Sequence, residues 1–219
     1  VSAQGWFRTV AQGLPGEQIT HDVDGTSVTQ YRAETQLFQK PGAEGVRFTV
    51  MQTGTGNQIK GGGPCWAMAE MQVFDADGNQ INYTVTSNAD HNTMGGAGND
   101  GAGMPGLNDG NLNNFFHSTW SDKAPAEYHY IELTFEETVD AFKLVWYTRP
   151  NQHVNKPQVV GLSEPGMTFT EEMLYAEYEY DLGAQVTSVE ELAGENKFFT
   201  FYVEGPTEFG QQDNREPYT

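Results

Sequence analysis

An all-β sandwich is the fold class predicted by the sequence, and three observations predict it. Apolar side chains recur with a period of two along several segments, turn dipeptides separate those segments, and helical signals are few. A chain of 219 residues is long enough to bury a core in one ordinary domain.

The strands follow in order. Tyr31, Ala33, Thr35 and Leu37 give a first, weak alternation, closed by the turn Pro41-Gly42. Val46, Phe48 and Val50 then alternate with Arg47, Thr49 and Met51. Residues 66–74, WAMAEMQVF, place Ala67, Ala69, Met71 and Val73 on one face and Trp66, Met68 and Phe74 on the other, so both faces read as buried. Asp77-Gly78-Asn79 lies at hairpin distance between that run and Ile81, Tyr83 and Val85. Ile131, Leu133 and Phe135 make the next strand, and Phe142, Leu144 and Trp146 the one after it, which ends at Arg149-Pro150. Residues 171–180, EEMLYAEYEY, fit either helix or strand, and Ser188 with Glu191 makes a capping box for one turn ending near Gly194. Many strands with few helices favour two packed sheets. Two long loops stand out, 87–114, rich in Gly and Asn, and 148–158; loops of that length carry function or lack order.

A boundary is expected near Pro165-Gly166, giving a sandwich over 1–165 and an extension, or the truncated start of another module, over 166–219. From Glu164 to Glu195 there are nine acids and no Lys or Arg, and the remainder is too short for a core of its own.

Thirty acids against 11 Lys and Arg give a net charge of −19. That excludes a phosphate-tracking nucleic-acid binder and an anionic-membrane binder, and permits divalent cations and neutral partners such as sugars. It also fits plain solubility of a secreted protein. The longest apolar stretch, Ala141 to Tyr147, falls far short of a bilayer span, so no membrane insertion is expected. One cysteine, Cys65, excludes an internal disulfide and a zinc site of several thiolates.

Two oddities bear on chemistry. Glu70 sits in a strand buried on both faces, where a carboxylate requires an arginine, dense hydrogen bonding, a raised pKa or a cation. LNDGNLNNFFHSTW, residues 107–120, crowds Asp109, Asn111, Asn113 and Asn114 into a glycine turn. Such a turn supplies the hard oxygens calcium takes, or is an Asx-rich turn with no metal. DADGN, residues 75–79, has its glycine at the wrong place for an EF-hand and is a turn. Enzyme signals are thin: histidines 21, 91, 117, 129 and 153 lack HExxH spacing, GxSxG is absent, and GGAGNDGAG (95–103) is no phosphate loop.

LNDGNLNNFFHSTW, YHYIELTF (128–135), AFKLVWYTRP (141–150), VRFTV (46–50) and AMAEMQVF (67–74) together resemble the coagulation factor 5/8 type C, or discoidin, domain across about residues 30–160. The resemblance implies a galactose-binding-like β-sandwich of jelly-roll type. In that family the Ala-Glu strand follows the Asp-Gly turn, whereas here it precedes it, which implies a permuted single domain. It also implies structural calcium, held by the Glu70 and Asp109 carboxylates and by Ala69, Leu107, Asn111 and Asn114, mainly through carbonyls; Asn114 stands where the family usually has Thr. Finally it implies a glycan partner, with galactose-type glycans among the candidates.

Sugar sites pair an exposed aromatic face with polar donors. Arg149, Asn151, His153 and Asn155 in loop 148–158 are the candidate donors, with Trp66 and Trp120 as candidate platforms. Each has a structural alternative: Trp66, Trp120 and His117 in the core, and Arg149 bracing a strand end against an acid. The expected function is a non-catalytic carbohydrate-binding module, secreted or on the cell surface of a bacterium and tethered to other domains of a larger protein. A spacer that binds protein or nothing, and a glycoside hydrolase fragment, are the alternatives.

Overall fold

The computed structural model describes residues 5–11, 17–23, 25–94, 99–151 and 156–174. The chain divides into two compact units, Val1–Phe169 and Thr170–Thr219. In the second, a single helical turn covers residues 171–174; the capping box at Ser188 and the strand-like run Phe198 to Val203 lie outside the described residues.

The first unit is an all-β sandwich, as expected. Its strands are β1 (Phe7–Ala11), β2 (Glu17–Val23), β3 (Thr26–Glu34), β4 (Phe38–Thr53), β5 (Ala67–Phe74), β6 (Tyr83–Ser87), β7 (Phe116–His117), β8 (Tyr130–Thr148) and β9 (Pro157–Ser163). One helical turn, α1 (His91–Met94), and a 3-10 turn, Met104–Leu107, interrupt the strands. All pairings are antiparallel in one curled sheet of order β1-β9-β4-β8-β3-β2, with β5, β6 and β7 attached off that path.

Strand β8 makes this a sandwich. The alternation predicts two strands, 131–135 and 142–147; the fold joins them into one. Residues Tyr130 to Phe135 pair with β4 and β6, whereas Lys143 to Thr148 pair with β3 and β5. Both layers therefore hang on one strand, and their facing side chains meet in a core that includes Phe48, Trp66, Met68, Phe116, Leu133 and Trp146. Burying side chains of this size stabilises the fold by about 1.5–3 kcal/mol each.

Two local expectations change. The Asp77-Gly78 turn does close a hairpin, with the Ile81 amide donating to the Val73 carbonyl at 2.8 Å. Strand β6 then leaves β5 and pairs with β8 in the other layer. Strand β5 does not alternate evenly either. Met68 pairs with Thr148 and Glu70 with Tyr147, so Ala69 is the extra residue of a β-bulge. Trp66 and Met68 before it, and Met71 and Val73 after it, all join the core, which reverses the expected face of Met71 and Val73. The bulge sends Glu70 out of the apolar core towards the loop that carries Asp109. DADGN is a turn, with Asp75 accepting from the Asp77 and Asn79 amides at 2.9 and 2.8 Å.

Candidate functional site

The loop between α1 and β7 is pinned by side chains from three strands. The Tyr83 hydroxyl on β6 bonds to the Met71 and Leu107 carbonyls at 2.7 and 3.1 Å. On β3, Gln30 donates its amide to the Leu112 and Thr148 carbonyls, each at 2.8 Å. From β5, Glu70 Oε2 accepts the Gly110 backbone amide at 3.2 Å.

Glu70 is 2% exposed, and that amide is its one hydrogen-bond partner among the described residues. Burial pushes its carboxyl up to about 7; the Gly110 amide opposes this and the neighbouring Asp109 charge adds to it. Asp109 itself is served by its turn, accepting the Asn111 amide at 2.7 Å and the Asn114 side-chain amide at 2.8 Å. Asn111 Oδ1 accepts the Asn113 amide at 3.0 Å. The Asx-rich turn of the sequence thus exists, and it brings a second carboxylate beside a buried one. Among the described residues no cluster of three or more His, Cys, Asp or Glu side chains is placed to hold a metal. A calcium shell here would draw on two carboxylates, Glu70 and Asp109, and on carbonyls at the Ala69 bulge and the 107–114 turn. That is a donor set of the kind calcium accepts.

The same loop builds an aromatic and polar rim. Trp120 is 41% exposed and lies flat on His91, with centroids 3.8 Å and planes 10° apart. His117 meets Trp120 edge-on at 4.8 Å. Its Nδ1 lies 2.7 Å from the Ser118 carbonyl, which can only accept, so Nδ1 carries the proton and Nε2 faces Asp100 Oδ2 at 4.0 Å. Burial lowers the His117 pKa and keeps the ring neutral. Asp100 in turn pairs with Arg149 Nη1 at 3.2 Å, and the guanidinium lies 3.8 Å from the Phe115 ring centroid. His91, Trp120, His117, Asp100, Arg149 and Phe115 thus form one continuous chain of contacts. A Cβ on Gly101 would come within 2.4 Å of the Phe115 carbonyl, and its φ is 75°, so glycine lets the Asp100 segment pass this close.

The expected site residues therefore separate. Glu70, Ala69, Leu107, Asp109, Asn111 and Asn114 converge around one turn, and Trp120 joins Arg149 through His117 and Asp100. Trp66 is wholly buried, its ring 4.9 Å from Phe116 in the core, and presents no platform; its apolar surface was worth more inside than out. Asn151 is a loop staple: its amide donates to the Thr29 carbonyl at 2.8 Å and its Oδ1 accepts the Thr29 amide at 2.9 Å. His153 and Asn155 lie outside the described residues. Sequence reasoning missed the roles of His91, Asp100 and Phe115; the length of loop 87–114 was the one signal for the first two, and Phe115 stood within the 107–120 motif.

No family model matches the chain, and no curated protein matches it. Among the described residues no helix is long and apolar enough to cross a membrane.

Proposed function

We propose that the first unit is a non-catalytic carbohydrate-binding module whose glycan rests on Trp120, with calcium bracing the supporting loop through Glu70 and Asp109. One observation carries this reading: a solvent-exposed indole lies flat on a buried imidazole, at the end of a contact chain that includes a paired Asp and Arg. A sugar ring has an apolar face for an indole and hydroxyls for a carboxylate and a guanidinium. Stacking on His91 fixes the ring of Trp120 before ligand arrives, which lowers the ordering cost of binding.

Arg149 is paired with Asp100, so the pair is net neutral and presents both donors and acceptors, which suits hydroxyls better than an anion. Calcium at Glu70 would convert a buried proton-holding carboxyl into an ionised ligand and fix the 107–114 turn. As a secreted or surface-displayed bacterial module, with galactose-type glycans among its candidate ligands, the unit would gain avidity from tethering to further domains. A glycan-array screen in calcium tests the reading; an array with no bound glycan would overturn it.

A further inference from the structure

On the outer face of the other layer, the register aligns three residues in a row across neighbouring strands: Gly161 on β9, Thr49 on β4 and Tyr130 on β8. Strand spacing sets β9 and β8 roughly 10 Å apart across β4. The Phe169 ring lies on Gly161, so close that a Cβ there would sit 2.2 Å from it, and forms one wall. Tyr130 forms the other, held upright by the Arg47 guanidinium 4.0 Å from its ring centroid. Between the walls lies a cavity of about 90 Å³, with Glu127, Tyr128 and Thr168 at its margins.

Its floor is the telling part. Thr49 is 2% exposed, and its hydroxyl has no hydrogen-bond partner among the described residues. A hydroxyl buried in that way is costly, and a valine would fill the same volume without the cost. The charges nearby are already spent: Arg47 Nη2 pairs with Glu132 Oε2 at 2.7 Å, and that oxygen also accepts the Gly166 amide at 2.8 Å. Glu127, exposed at the margin, disfavours an anion.

We propose that this groove is a second binding site, sharing no residue with the Trp120 rim, and that it takes one neutral hydroxylated ring, a single sugar residue entering edge-on between Phe169 and Tyr130. One ring hydroxyl meets Thr49 Oγ1, and the aromatic walls cover the ring's apolar edges. A cavity of about 90 Å³ admits part of one ring and no second, so the remainder of a longer glycan stays outside.

The test is a titration of the isotope-labelled full chain with the methyl glycosides of galactose, glucose and mannose, followed through the backbone amides of Thr49 and Gly161. At least one glycoside shifts both amides in the wild type and in Trp120→Ala, so that failure of the rim leaves this outcome standing. Thr49→Val, close to isosteric, weakens binding at least fivefold, and Thr49→Ser, which keeps the hydroxyl, restores it. If none of the three glycosides moves these amides, or if Thr49→Val binds as the wild type does, the groove is no such site.

Discussion

Glu70 accepts a hydrogen bond from the amide of Gly110, the residue after Asp109, although 40 positions separate them in the chain. The β-bulge at Ala69 makes this meeting possible, since an even alternation from Trp66 and Met68 would place Glu70 on their core-facing side.

The first prediction concerns pH. Glu70 holds its proton up to about 7 in the fold, against roughly 4.3 in an unfolded chain. The folded state therefore binds more protons between those values. Metal-free protein keeps this contribution below about pH 4.3 and loses it as pH rises towards 7, by roughly 3–4 kcal/mol. Denaturant midpoints measured in chelator across that window should fall for the wild type, and Glu70→Gln should remove this part of the slope.

The second concerns calcium. A cation that binds the ionised pair favours the folded state by about 2.7 kcal/mol at a hundredfold excess over its dissociation constant. Thermal melts above pH 7 should rise with calcium and return with chelator, and neither Glu70→Gln nor Asp109→Asn should respond. An identical response from all three proteins would place the ion elsewhere.

The period-two segments of β4, β6 and β8 were legible in the sequence because each has one face in the core. The joining of 131–135 and 142–147 was not, since the residues between them carry Glu136, Glu137 and Asp140 and read as a loop. Strand β9, PQVVGLS, is buried at nearly every position and offers no alternation to read. The carboxylate pair was legible as two oddities, a buried acid and an oxygen-rich turn. The partners of Trp120 were not, because His91 reaches it, and Asp100 reaches its neighbour His117, through long-range loop packing that leaves no local pattern.

The four tryptophans divide by role, which sets the third prediction. Trp66→Ala removes a fully buried ring that packs on Phe48 and Phe116 and should cost about 3–5 kcal/mol in chemical denaturation. Trp120→Ala removes a ring that is largely outside the core and should cost no more than about 1 kcal/mol.

A fourth prediction addresses the sheet face that Phe169 covers. Gly161→Ala places a methyl carbon 2.2 Å from that ring, so Phe169 must move off β9. Overpacking of this kind should lower stability by about 1–3 kcal/mol. Thr49→Val, in the same row, should instead raise it by about 1 kcal/mol, because an unpartnered buried hydroxyl is lost. Urea midpoints of the two variants read both signs.

Side-by-side glycan arrays of the wild type and Trp120→Ala in calcium decide whether the indole carries glycan binding. The wild type should bind a defined set of glycans, and Trp120→Ala, still folded, should lose them or bind them at least tenfold more weakly. Equal binding by both proteins would contradict a rim centred on Trp120.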